Sequence, residues 1–202
     1  MKKVLLVLFL FIIFISGLYA DEYVISTIQC LMEEYGTIST EEINFKYDDE
    51  KNLYYLQWSK YAQSYWFYIY PSDLEQIRAN LKKAKEWEKI AKDNKTNVTK
   101  EIPNSAISVK ATMKSSNDWY TTRRNIPLNF FFACDVRESF YTLIIRGGAE
   151  KSTQNEFIDI EFNTLVFDSK QISDFSAAIS HETVEQAKIK HQQGKKAADL
   201  FQ

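Results

Sequence analysis

The segment "SSNDWYTTRRN", Ser115 to Asn125, holds the residue types best suited to recognition chemistry. Trp119 and Tyr120 stand in a polar stretch without apolar period, and Arg123 and Arg124 follow within four positions. Indole and phenol rings offer faces for stacking, and guanidinium groups hold carboxylate or phosphate in a fixed geometry. The four residues together suit a glycan, a peptide or a nucleotide-like ligand. The competing reading is a surface loop pinned by Trp119 in the core, with two solvated arginines. The sequence alone favours that plainer reading.

Catalytic alternatives are thinner. His181 and His191 are the only histidines, ten residues apart and not in the H-x-x-x-H spacing of a metal site. His181 falls opposite the apolar stripe of a predicted helix, as a solvated histidine does. Neither a C-x-x-C pair nor a G-x-S-x-G turn occurs, so zinc and nucleophilic-serine chemistry lack their signatures. No cofactor is expected. Carboxylate pairs are present: Asp159 with Glu161 on one strand face, and Asp48, Asp49 and Glu50 in a turn. Two carboxylates suffice for glycoside hydrolysis. However, alternation makes the first pair the polar side of a half-buried strand, and turn chemistry explains the second group. "RGG" at Arg146–Gly148 lacks the lysine and following helix of a phosphate loop.

The run "SYWFYIY", Ser64 to Tyr70, poses the same choice between recognition and packing. In a strand, Tyr65, Phe67 and Ile69 point one way, and Trp66, Tyr68 and Tyr70 the other. One set is expected under the helix and the other against the second half, with tyrosine hydroxyls at its rim. The alternative is a stacking platform for bases or sugars.

Elements that position these residues can be read from periodicity. "EYVISTIQCLM" (Glu22–Met32), "EINFKYD" (Glu42–Asp48) and "LYYLQWS" (Leu53–Ser59) alternate as strands, with "DDEKN" turning between the last two. After Pro71 the spacing of Leu74, Ile77, Leu81, Ala84 and Ala91 predicts a helix over Ser72–Lys92, with Ser72 and Glu75 in capping-box spacing. "TKEIPNSAISVKATM", "PLNFFFACD", "ESFYTLIIRGG" and "EFIDIEFNTLVFD" then read as strands, the last with Ile158, Ile160, Phe162 and Val166 on its apolar face. Asp168 and Gln171 cap a second predicted helix, Ser169–Ala187.

The order is four strands and a helix, twice over: an α+β chain of two ββββα halves, residues 21–97 and 98–202, each an antiparallel sheet covered by a helix. That order resembles the doubled ββββα topology of Whirly- and PUR-type proteins. The resemblance implies single-stranded nucleic-acid binding, and it rests on element order, without a sequence motif.

Residues 1–20, "MKKVLLVLFLFIIFISGLYA", have the build of an export signal: a short basic start, an apolar core and a small residue at Ala20. Cleavage there gives a bacterial periplasmic or secreted chain; retention gives an N-terminal membrane anchor. With Lys2 and Lys3 removed, 23 basic residues face 27 acidic ones. An acidic balance argues against nucleic acid as a partner. Cys30 and Cys134, the only cysteines, are either a disulfide joining the halves or two buried thiols.

These readings converge on an exported, non-catalytic binding or interaction protein whose partner is a protein, a glycan or a small molecule. A periplasmic carboxylate-dependent hydrolase and a single-stranded nucleic-acid-binding module are the alternatives. Export predicts an intact mass for the native protein that begins at Asp21. A native chain recovered with Met1 in the membrane fraction contradicts cleavage.

Overall fold

The computed structural model describes residues 22–34 and 36–200. The export segment read at residues 1–20 lies outside them. In chain order the strands are β1 (Glu22–Glu34), β2 (Thr37–Asp48), β3 (Leu53–Lys60) and β4 (Gln63–Ile69), followed by helix α1 (Pro71–Asn94). Then come β5 (Val98–Glu101), β6 (Ile107–Ser115), β7 (Asp118–Thr121), β8 (Ile126–Asp135), β9 (Phe140–Arg146), β10 (Ala149–Lys151), β11 (Asp159–Glu161) and β12 (Thr164–Asp168). Helices α2 (Ser169–Ala178) and α3 (His181–Asp199) finish the chain.

Local chemistry sets the turns. Tyr61 and Ala62 both take positive φ, 50° and 63°, which a two-residue type I′ hairpin between β3 and β4 requires. The Asp48 carboxylate accepts the Lys51 backbone N–H at 2.9 Å, closing the β2–β3 turn. Helix α1 starts one residue before the expected capping box. Pro71 occupies the first turn and Tyr70 is the cap residue, with no side-chain cap bond. Proline's fixed φ suits that position and its missing N–H costs nothing there. Ser72 is therefore inside the helix, and Glu75 pairs with Arg78 instead. At α2 the expected cap is present: Asp168 and Gln171 form a reciprocal capping box. The single helix predicted over Ser169–Ala187 breaks at Ile179 and Ser180. The Arg78 Nε–H satisfies the Ile179 carbonyl at 2.6 Å, and Ser180 Oγ accepts the Thr183 N–H at 3.1 Å to start α3.

The predicted pair of ββββα halves is overturned. The sheet order is β5-β8-β9-β12-β1-β2-β3-β4-β6-β7, with β8 also pairing to β6, so eight antiparallel strands close into a barrel. β5 and β7 extend it, and β10 pairs with β11 apart from it. β12, from the end of the chain, lies between β9 and β1, so neither half owns a sheet. The Whirly- and PUR-type likeness falls with the halves. Element order misled because a run of antiparallel strands can form separate sheets or one closed ring, and local periodicity is the same in both.

Cross-strand partners trace the closed wall. Phe130 faces Ile145, Leu143 faces Phe167, and Leu165 faces Met32. Around the other side Ile28 faces Ile43, Phe45 faces Leu56, Leu56 faces Phe67 and Phe67 faces Ala111. Val109 opposite Ile126 completes the circuit. All of these side chains are buried, so the barrel is filled with protein. Helices α1 and α2 cover one end, where Trp87 meets Phe132 edge-on at 6.1 Å and Phe175 stacks on Phe167 at 5.1 Å. The β1–β2, β3–β4 and β6–β7 hairpins surround the opposite, open end.

"EFIDIEFNTLVFD" is two strands in different sheets, with a change of phase between them. Ile160 and Phe162 are buried before the break, and Leu165 and Phe167 after it. Val166, expected on the apolar face, is only half-buried. The step at Asn163 and Thr164 lets Phe162 wedge against Phe67 and Trp58, with ring centroids 4.8 and 5.7 Å away.

The two cysteines are free and buried. β9 and β12 separate their strands, so the two cysteines are three strand steps of roughly 4.8 Å apart along the curved wall. A disulfide spans Cα atoms no more than about 7 Å apart, so the structure does not bring the pair together.

Two expectations follow. A Cβ added at Gly147 would sit 2.6 Å from Phe162 Cβ and 2.8 Å from Leu128 Cδ2. Gly147→Ala should thus destabilise the protein by about 1–3 kcal/mol through overpacking, measurable by urea unfolding; an unchanged midpoint contradicts the tight contact. Burial, with Glu41 as the lesser cause, pushes the Cys30 thiol up to about 12. The unfolded thiol loses its proton near pH 8.5, so the stability held by the protonated thiol should decline as pH rises from there toward 12. Ellman's reagent should find no reactive thiol in the native protein and two after denaturation. The alkaline decline should flatten in Cys30→Ala.

Candidate functional site

The sheet's two-residue period divides each strand between the barrel core and an outer face, and the outer face of β3, β4, β6 and β7 has a distinct composition. Its outward positions are Leu53, Tyr55, Gln57 and Ser59 on β3, and Ser64, Trp66 and Tyr68 on β4. Ser108, Lys110, Thr112 and Lys114 follow on β6, then Trp119 and Thr121 on β7. None is a carboxylate, although the whole chain has more acidic than basic residues; the acidic groups at this face, Glu22 and Asp48, stand at its Tyr55 edge.

Strand register sets the spacing of these groups. Trp66 lies opposite Thr112, Tyr68 opposite Lys110, and Lys114 opposite Trp119. The Trp66 and Trp119 rings are 4.9 Å apart with a 39° tilt, forming one apolar strip across β6. Lys114 Nζ stands 5.5 Å from the Trp119 ring centre, within cation–π reach. Lys46, outward on the adjoining β2, lies 6.0 Å from the Tyr55 ring. Trp119 is 49% exposed, and Lys110 is exposed opposite Tyr68. Such a surface offers stacking to a ring-bearing ligand and charge to an anionic one.

The structure separates the four residues singled out in "SSNDWYTTRRN". Trp119 belongs to the outer face. Tyr120 points the opposite way, as the next residue of a strand must, and lines the open end of the barrel. Arg123 and Arg124 leave the edge of β7 as exposed side chains, and the Arg123 backbone N–H donates to the Lys151 carbonyl at 2.7 Å. Trp119 does not pin a loop in the core. In "SYWFYIY", Phe67 and Ile69 are core, as expected, and Tyr65 packs at its margin. Trp66 and Tyr68 pack on no second repeat, because none exists. Sequence reasoning missed Lys110, Lys114 and the partnership of Trp66 with Trp119. The alternation in "SVKATMKS" shows two lysines on one face, but only strand order places them between the tryptophans.

The open end of the barrel is a cleft of about 470 Å³. Tyr65 and Tyr120 contribute rings, Asn163 and Gln63 amides, and Glu34, Asp159 and Glu161 carboxylates. Lys60, mostly buried, bonds Glu34 at 2.8 Å, and that bond holds its ammonium above the ordinary lysine range. Asp159 pairs with Lys151 at 3.4 Å. Asp159 and Glu161 are both exposed, so neither has the apolar enclosure that sets a general acid apart from its partner. The other groups weighed from sequence have structural settings. His181 is a surface residue 3.4 Å from Glu75, and His191 stacks on Tyr23 with centroids 4.1 Å apart. Arg146 lies over the Phe131 ring, and Gly147 makes room for Phe162. Among the described residues no group of three or more His, Cys, Asp or Glu side chains is placed to hold a metal ion.

No protein-family model matches this chain, and neither a curated protein nor a solved structure matches it significantly.

Proposed function

We propose that this is an exported, non-catalytic binding protein that takes an anionic polysaccharide on the outer face of β3, β4, β6 and β7. The observation that carries the reading is the Trp66–Trp119 strip flanked by Lys110 and Lys114, on β4, β6 and β7 positions that hold no carboxylate. Sugar rings stack their C–H faces on indole, and ammonium groups hold the carboxylates or sulfates along such a chain.

Single-stranded nucleic acid meets the same charges less well. A base inserts between separated rings or stacks on an open one. Here the two indoles are 4.9 Å apart at a 39° tilt, which leaves no gap for an inserted base, and Lys114 stands over Trp119. The periplasm or cell exterior, where the export segment would send the chain, is also where anionic glycans are met. Arg123 and Arg124 extend the positive charge past the edge of β7.

Affinity electrophoresis with dextran sulfate, neutral dextran and oligothymidylate tests the reading. Dextran sulfate should retard the protein, less so as salt rises; neutral dextran should retard it weakly. Trp119→Ala should weaken the dextran sulfate interaction about tenfold, the scale of one lost stacking contact of about 1.4 kcal/mol. Lys110→Ala with Lys114→Ala should lower the salt dependence. Absence of retardation, or retardation unaffected by these variants, overturns the assignment of this face. Tighter binding to oligothymidylate overturns the polysaccharide in favour of nucleic acid.

A further inference from the structure

We infer that the open end of the barrel is a second binding site, built for a small organic cation carrying an amine or guanidinium group. The site is a cleft of about 470 Å³ between the β1, β3–β4 and β6–β7 ends and the β10–β11 ribbon. That volume lies within the range of small-molecule pockets.

Its charge balance favours a cation. Glu34 is matched by Lys60, and Asp159 by Lys151. Glu161, directly across the ribbon from Ala149, has no ion-pair partner among the described residues. One carboxylate in the cleft is thus uncompensated. The Tyr65 and Tyr120 rings in the lining add faces that attract an ammonium or guanidinium through their quadrupoles.

A buried amide is the independent sign of a ligand. Asn163 is 8% exposed and lines the cleft, and its Nδ2 donates only to the Met32 thioether at 3.4 Å. Sulfur is a weak acceptor, and the Asn163 carbonyl oxygen has no protein partner among the described residues. Buried amides in proteins are ordinarily hydrogen-bonded. An oxygen acceptor on the cleft wall, in a lining that also holds an unpaired carboxylate and two rings, complements the N–H groups of an organic cation. A hard metal ion fits less well, because it needs several oxygens converging at short range.

The test uses the full chain and calorimetric titration with N-acetylarginine amide, against the neutral isostere N-acetylcitrulline amide. Saturable binding of the arginine compound, at least tenfold tighter than the citrulline one, is expected. Glu161→Gln should weaken the arginine compound about fivefold or more and narrow its preference over citrulline; Glu161 is exposed, so the variant keeps the fold. Tyr120→Leu, which retains apolar packing, should weaken it further by removing a ring. Equal binding of both compounds, binding insensitive to Glu161→Gln, or no saturable binding overturns the proposal.

Discussion

Closure of the barrel depends on a short seam. Three residue pairs, Ile107 with Leu128, Ser108 with Pro127 and Val109 with Ile126, join β6 to β8. Beyond it the same edge of β8 is taken by β5, from Val98 opposite Cys134 to Glu101 opposite Phe131. Toward the open end the matching edge of β6 is taken by β7, from Thr112 opposite Thr121 to Ser115 opposite Asp118, so the wall divides on both sides of the seam. Without the seam the sheet would expose the face carrying Phe45, Phe67, Phe130 and Phe132, all fully buried. Each such ring contributes about 2–3 kcal/mol by leaving water. The seam is few in bonds, but closing it keeps that whole face dry.

The closed wall also explains why the two ends differ. At the helix end, side chains from α1 and α2 fill the splayed interior, and a buried Asn80 ties α1 to the Ser105 carbonyl at 2.9 Å. At the other end no helix intervenes. The interior row is instead finished by polar groups, Ser39, Glu41 and Lys60 among them, held in a network of 2.7–3.6 Å contacts. Phe162 separates this polar layer from the aromatic core, and it reaches that place because Gly147 has no side chain to obstruct it.

Much of this was legible locally. Strand alternation, the Asp168–Gln171 capping box and the inward set of "SYWFYIY" all follow from spacing, and all are in the structure. The failures share a cause. The phase change at Asn163, the break at Ile179 and the start of α1 at Pro71 are points where a tertiary contact or a single backbone constraint outweighs a periodic pattern. Barrel closure is further out of reach. The pairing of β1 with β12 joins Met32 to Leu165, and no local period records which distant strand will be a neighbour. The candidate sites inherit that limit: Trp119 was identifiable by type, but its neighbours Trp66 and Lys114 come from other strands.

The same alternation that builds the core forces the split between the two proposed surfaces. On β7, Trp119 and Tyr120 are adjacent in sequence, so a strand must turn them to opposite sides of the wall. One ring joins the cationic outer face and the other the acidic cleft. An anion on the outside and a cation at the mouth would then meet the protein within one residue of each other along the backbone. Because β7 pairs with β6 on one side, and its other edge is held by Thr153 and Gln154 through bonds of 2.8 Å to Thr121, the strand is fixed on both edges. Neither ring can change sides without breaking those bonds. The two surfaces are therefore separate in charge but mechanically joined, and a ligand that displaced β7 from one side would disturb the other.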